Sequence, residues 1–136
     1  MSARSKARKR ALDILYAAEL RGQDPVVELD AAIADGEGPT NPYTGALVRG
    51  VAAHRERIDE LLTSYSQAWT LDRMPAVDRN ALRIGAFELL YADDVPDAVA
   101  VSEAVALVRN LSTDESPGFV NGVLGAMMRD RESLTP

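Results

Sequence analysis

Five cationic side chains stand at the start of the chain, where they could bind phosphate groups. The first ten residues contain no acidic side chain, and their basic residues are Arg4, Lys6, Arg8, Lys9 and Arg10. The whole chain has only 15 basic residues and a formal net charge of −6. Such a concentration of positive charge fits a polyanionic partner, either a nucleic acid or an acidic membrane surface. The alternative is a solvated basic tail.

A second candidate binding place is predicted at the start of the last helix. Ser116 and Pro117 suit the N-cap and the first position of a helix, and Phe119 follows in the first turn. An aromatic ring beside free backbone N–H groups can stack on a nucleobase while the helix start holds a phosphate. The alternative is a partly buried aromatic at a helix start. Tyr16 is the comparable residue on the first helix, off its apolar stripe.

The chain offers few residues for thiol, imidazole or transition-metal chemistry, and its 21 acidic residues show no arrangement suited to paired acid–base catalysis. The chain has no cysteine, and His54 is its one histidine, which excludes disulfides and thiolate chemistry and argues against a transition-metal site. No nucleophile is spaced with a base, and no glycine-rich phosphate loop follows a strand. His54 falls on an apolar helical stripe, which is typical of a structural histidine at a core edge. We therefore expect a binding protein without catalytic residues, metal or cofactor.

Length and composition fit one helical domain over residues 1–136. The chain is 46% hydrophobic and 26% charged, which is enough for one buried core. Apolar residues recur at helical spacing, and sustained alternation is missing. The chain has no run of 18 apolar residues, so no membrane span is predicted. The basic start is not followed by the apolar segment of a signal peptide. We expect a cytoplasmic, all-α protein.

Apolar spacing and capping residues predict six helices. The first covers about 4–21, with a buried stripe of Ala7, Ala11, Ile14, Leu15 and Ala18. The others are predicted at about 25–34, 42–66 and 75–92, from Asp97 or Ser102 to Leu111, and from Ser116 onward. In the second helix, Val26, Leu29 and Ile33 are predicted to face inward. The helix at 75–92 is apolar on most sides, which predicts a central position.

Three glycines, Gly118, Gly122 and Gly125, fall inside the last predicted helix. Each costs about 1 kcal/mol of helix stability relative to alanine, so a compensating reason is expected. One reason is close approach of a neighbouring helix. The other is close approach of a ligand backbone near Gly118.

Three stretches of the chain closely resemble the NusB family of transcription antitermination factors. They are residues 7–16 (ARKRALDILY), 78–83 (DRNALR) and 119–125 (FVNGVLG). Their order and spacing match the family over the whole chain. Smaller matches are Ile58-Asp59, Trp69, Arg73, Glu88-Leu89, Val95-Pro96 and Glu103-Ala104.

The resemblance implies an all-α bundle of about seven helices in two packed helical subdomains. It also implies a function, which is to bind the boxA element of single-stranded nascent RNA together with the small-subunit ribosomal protein NusE. That complex helps RNA polymerase read through terminators, chiefly in ribosomal RNA operons. Family members occur as monomers and as homodimers, so a homodimer is possible here.

The resemblance also carries over a set of RNA-binding residues. Matched by position, these are the arginine-rich start with Arg4, Lys6, Arg8 and Arg10, together with Tyr16, Asp78, Glu115 and Phe119. An acidic side chain there can accept a hydrogen bond from an exocyclic amine of a base, and it repels phosphate. About five phosphate contacts would give a slope of roughly −3.5 for log affinity against log salt. The chain departs from the family at Gly118, where many relatives carry a basic residue, and at Ser102, where many carry asparagine.

Two other functions are compatible with these features. A domain of this type can precede a methyltransferase in RNA-modifying proteins, but no strand and glycine loop for a methyl donor follows in this chain. A protein-interaction adaptor could instead use its acidic helical faces to bind a basic protein, with incidental RNA contact.

Overall fold

The computed structural model describes residues 2–67 and 69–135, and the regular elements within these ranges are eight helices. They are α1 (Ala3–Leu20), α2 (Pro25–Ala34), α3 (Pro42–Ala53), α4 (Arg55–Tyr65), α5 (Ala76–Tyr91), α6 (Asp97–Leu111), α7 (Ser116–Arg129) and α8 (Arg131–Leu134). The predicted all-α fold of about seven helices is confirmed, since α8 is a single turn. Within the described ranges, no helix has the length and apolar character that crossing a membrane requires.

The chain divides into two compact units. The first, Met1–His54, contains α1 to α3, and the second, Arg55–Pro136, contains α4 to α8. The boundary falls inside the region predicted as one helix over 42–66, and that prediction is wrong. His54 leaves the helical conformation (φ −111°, ψ 16°) as the C-cap of α3, and α4 begins at Arg55. Because only one residue departs, the apolar spacing continues through the break and cannot reveal it.

In the first unit, α1, α2 and α3 each pack against the other two helices. Its predicted stripe is confirmed, because Ala7, Ala11, Ile14, Leu15 and Ala18 are all buried. The prediction for α2 is wrong in part. Leu29 is fully buried, but Ile33 is 53% exposed, because a short helix meets its two neighbours along a narrow line.

In the second unit, α5 packs against α4, α6, α7 and α8, as its apolar sequence predicts. Close helix approach occurs at Gly85 of α5. A Cβ atom there would lie 2.6 Å from Leu124 Cδ1 of α7 and 3.0 Å from Ala104 Cβ of α6. The glycines of α7 do not serve this purpose. Within the described ranges, a Cβ at Gly118 or Gly122 would meet no atom within 4 Å.

Of the two starts predicted for α6, the structure agrees with Asp97 and not with Ser102, and the start of α7 differs from its predicted cap. Helix α6 begins at Asp97 after Pro96, and Ser102 lies inside it with its hydroxyl donating to the Val99 carbonyl at 3.3 Å. Helix α7 begins at Ser116, one residue earlier than predicted, with Glu115 at the N-cap. The Ser116 hydroxyl is buried and bonded elsewhere, so a nearby polar network determines where this helix starts.

Candidate nucleic-acid interface

The basic residues of α1 do not all present their charge to solvent. Arg4 and Lys6 are exposed, and Lys9 and Arg10 are half-buried. Arg8 is only 3% exposed. Lys9 is already neutralised, because its Nζ lies 2.7 Å from Asp13 Oδ1 one turn further along α1. The other three cations of this run are more accessible, because Arg4 and Lys6 are exposed and Arg10 is half-buried without a carboxylate bonded to it in the described ranges.

Tyr43, in the first turn of α3, organises one face of the basic run. The Arg4 guanidinium lies 4.1 Å from the centre of the Tyr43 ring, and that of Arg8 lies 5.8 Å from it. A cation held over an aromatic face at this range is stabilised by the ring quadrupole. The sequence analysis missed Tyr43, because the contact joins residues about 40 positions apart and no local pattern signals it.

The segment before α3 secures the same end of α1 through backbone groups. The Thr44 hydroxyl donates to the Ala7 carbonyl at 3.0 Å, and the Asn41 amide donates to the Ala3 carbonyl at 3.3 Å. Arg10 Nη2 donates to the Glu37 carbonyl at 3.0 Å. These bonds hold the basic turns of α1 without neutralising any charge. Tyr16 lies about two turns beyond them and is 37% exposed.

The second candidate region is an aromatic pair in the second unit. Phe119 is half-buried in the first turn of α7, and its ring meets Trp69 edge to face, with centroids 4.8 Å apart and an angle of 66°. Trp69 was not among the predicted site residues. Two signals in the sequence could have indicated it: it is the sole tryptophan, and it is one of the smaller matches to the family, in a segment predicted as a linker.

Two polar anchors hold the turn that carries Trp69. Arg79 of α5 donates to the Leu71 carbonyl at 2.7 Å and to the Met74 carbonyl at 3.1 Å. The Ser66 hydroxyl donates to the carbonyl of Trp69 itself. The turn that carries Trp69 is therefore fixed by hydrogen bonds, and both aromatic residues remain partly exposed.

Asp78, predicted to contact RNA, is fully buried at the start of α5. Its Oδ1 accepts a hydrogen bond of 2.6 Å from the Ser112 hydroxyl, which in turn accepts one of 3.1 Å from Ser116. Asp78 Oδ2 has no partner in the described part of the chain. This chain of bonds links the start of α5, the end of α6 and the start of α7, the helix that carries Phe119 in its first turn.

Glu115 and Gly118 flank Phe119 on the surface. Glu115 is exposed at the N-cap of α7, where its negative charge is favourable to the helix dipole. Gly118 is exposed too. The predicted site residues therefore form two groups, one in each unit: Arg4, Lys6, Arg8, Lys9, Arg10 and Tyr16 in the first, and Asp78, Glu115 and Phe119 in the second. Their contact with RNA stays a prediction.

The other strong charge cluster of the second unit is structural. Arg83 is 4% exposed, and its guanidinium donates to Asp59 Oδ1 at 2.9 Å, to Asp59 Oδ2 at 3.1 Å and to Asn80 Oδ1 at 3.0 Å. Burial by itself would raise the pKa of the Asp59 carboxyl. The hydrogen bonds from Arg83 and Arg55 outweigh burial and hold the pKa below its ordinary value of 3.8. This cluster joins α4 to α5.

A family model extends the match beyond the individual motifs. The model of the NusB family covers residues 5–129, which include both candidate regions. The chain belongs to the NusB family.

Relatives within the NusB family align with nearly the entire chain. A transcription antitermination protein NusB from a Nocardioides species is 72% identical over 134 residues, covering 98% of this chain and 99% of that protein. One from an Arthrobacter species is 57% identical and covers 98% of both chains.

Solved NusB structures share the fold. NusB of T. maritima aligns with a TM-score of 0.84 at 29% identity, covering 96% of this chain and 93% of that one. A chain from a complex of the antitermination factors NusB and NusE with dsRNA aligns with a TM-score of 0.80 at 29% identity, covering 93% and 96%.

Proposed function

We propose that this NusB-family protein is a transcription antitermination factor that binds single-stranded boxA RNA together with ribosomal protein NusE. In this role it helps RNA polymerase read through terminators in ribosomal RNA operons. The observation that carries the proposal is the 72% identity to an antitermination protein NusB along almost the full length of both chains. The NusB chain solved with NusE and dsRNA supports the partner assignment.

The two candidate regions supply complementary chemistry for such a ligand. Exposed cations on α1 attract phosphates, and the ring of Phe119 beside Trp69 offers a stacking surface for an unstacked base. In this proposal the protein acts by binding RNA and not as an enzyme. The whole chain serves as one RNA-binding domain. It works in the cytoplasm, where bacterial transcription takes place. A homodimer remains compatible with the family and would be detected as a doubled mass in solution.

The burial of Arg8 and the pairing of Lys9 reduce the expected salt dependence of RNA affinity. Since Arg8 is buried and Lys9 is paired with Asp13, we expect about three phosphate contacts, at Arg4, Lys6 and Arg10, instead of five. Three contacts give a slope of about −2 for log affinity against log salt, instead of roughly −3.5 for five.

The deciding experiment is fluorescence anisotropy with a short boxA-like RNA, a shuffled RNA and the matching DNA, at three salt concentrations, with and without NusE. The proposal expects preference for boxA RNA, strengthened by NusE. Tight NusE binding without any sequence preference would instead make the protein an adaptor. Binding to neither RNA nor NusE would overturn the antitermination role.

A further inference from the structure

A cleft of about 380 Å³ lies within the first unit, between the start of α1 and the segment that leads into α3. This volume is at the small end of the range for ligand pockets. One face of α1 lines it with Ala3, Lys6, Ala7 and Arg10, and the opposite wall is formed by residues 39–42 and Thr44.

The cleft carries positive charge without a neutralising partner. Within the described ranges, Lys6 makes no ion pair and no side-chain hydrogen bond, and the one bond of Arg10 goes to the neutral carbonyl of Glu37. The two residues are one helical turn apart, so both cations stand on the same side of α1. An anion at the cleft mouth would meet both of them.

The opposite wall is of a different character. Pro39 and Pro42 supply apolar ring surfaces, and Thr40 between them supplies a hydroxyl. The Asn41 side chain is already bonded to the Ala3 carbonyl and to the Tyr43 N–H, which fixes the position of this wall. An apolar wall with a few polar groups suits the flat face and polar edge of a nucleobase.

We propose that this cleft holds one unstacked nucleotide of the bound RNA, with its phosphate at Lys6 and Arg10 and its base against the wall of residues 39–42. The proposal rests on the proposed RNA-binding function and adds a base-binding site to it. A nucleic acid is favoured over an acidic peptide because positive charge continues around α1 to Arg4, which is exposed and lies over Tyr43. Such a track suits successive phosphates.

The test compares two lysines that differ in their relation to the cleft. Lys6→Gln removes a cation that lines it, whereas Lys9→Gln removes one that is already paired with Asp13. Binding of boxA-like RNA without NusE is measured by anisotropy. We expect Lys6→Gln to weaken binding about fivefold and Lys9→Gln less than about twofold.

A third variant, Thr40→Trp, fills the cleft without changing any charge. We expect it to weaken RNA binding about fivefold with the salt slope unchanged. RNAs that each lack one base then locate the nucleotide. We expect one position of the RNA at which removal of the base weakens binding to the natural protein but does not further weaken binding to Thr40→Trp. That position is the nucleotide held in the cleft.

Each contrary outcome has a separate meaning. Equal losses for Lys6→Gln and Lys9→Gln, with boxA preference intact, overturn the cleft proposal and leave the antitermination role standing. Loss of NusE affinity with unchanged RNA affinity makes the cleft a protein contact and also overturns it. A natural protein without RNA binding overturns both proposals. If circular dichroism shows that Thr40→Trp is misfolded, the comparison of Lys6→Gln with Lys9→Gln decides.

Discussion

The basic start of α1 and the aromatic start of α7 differ in the side chains that they expose and in the groups that hold them in place. The first bears exposed cations, fixed by hydrogen bonds to backbone carbonyls at the surface. The second bears an aromatic pair, and its helix start is held by a buried carboxylate and two serine hydroxyls. Charge in the first unit is therefore available for binding, while buried charge in the second unit maintains structure. Substitutions should separate these roles.

The largest contrast is expected between Arg83→Ala and Lys9→Ala. Loss of Arg83 leaves Asp59 and Asn80 without their buried partner, which should lower the free energy of unfolding by about 3 kcal/mol. Loss of Lys9 removes an exposed pair and should cost less than about 0.5 kcal/mol. Urea denaturation of both variants measures the difference, and similar losses would remove the distinction between the two kinds of charge.

The next contrast lies between two glycines of the second unit. Gly85→Ala forces a methyl group against Leu124 and Ala104, and we expect a loss of about 2 kcal/mol in unfolding free energy. Gly122→Ala adds a methyl group in open space and should stabilise α7 by roughly 0.5–1 kcal/mol. Thermal melting distinguishes them by the opposite signs of the shift in Tm. A stable Gly85→Ala protein would mean that α6 and α7 can move apart.

Phe119→Ala tests the aromatic region directly. Removal of the ring should weaken binding of boxA-like RNA about tenfold, because stacking on an aromatic side chain contributes about 1–3 kcal/mol per base. The salt slope should stay unchanged, unlike that of Lys6→Gln, which should decrease by about 0.7. Anisotropy at three salt concentrations checks both. A changed slope in Phe119→Ala would contradict the division into charged and aromatic regions.

Acid should weaken the second unit through Asp59. A carboxyl whose pKa is lowered in the folded state contributes stability above its ordinary value of 3.8, and this contribution is lost as the pH falls through the folded pKa. The natural protein should therefore be more stable than Asp59→Asn at pH 6, by about 1 kcal/mol. Denaturation at pH 3 should show a smaller gap. A gap that does not change with pH would mean that Arg83 is held by other groups.

The smallest effect is expected from Gly118→Lys, which brings surface charge to the aromatic region. The position is exposed and has room for a side chain. We expect about threefold tighter RNA binding and a salt slope steeper by about 0.7. Gly118→Gln is the uncharged control and should leave the slope unchanged. An unchanged slope in the lysine variant would place the RNA away from this turn.

Local patterns predicted the helices well and their limits less well. The stripe of α1 and the central position of α5 followed from apolar spacing alone. The break at His54 was missed because a single non-helical residue keeps the spacing intact. Close helix approach was one of the two reasons predicted for Gly118, Gly122 and Gly125, but the structure shows it at Gly85. Close approach depends on which neighbouring helix faces a glycine, and the number of glycines in a helix does not reveal this.

The sequence predicted which kinds of side chain form the candidate site, but not which of them are buried or which residues contact them. Charge counting found the basic run, and the motif at 119–125 pointed to Phe119. Burial of Arg8 and Asp78 could not be read from residue type, because charged residues are usually exposed. Tyr43 and Trp69 contact the site residues across 35 to 50 positions, and such tertiary contacts leave no local signal.

The exposed glycines of α7 have a consequence for local opening. Each lowers the intrinsic helix stability by about 1 kcal/mol, and at Gly118 and Gly122 no packing contact compensates. The first two turns of α7 should therefore exchange their amide hydrogens faster than the tightly enclosed α5. A ligand that covers Phe119 would slow this exchange. Hydrogen exchange of the individual amides at the start of α7 would therefore show when RNA is bound.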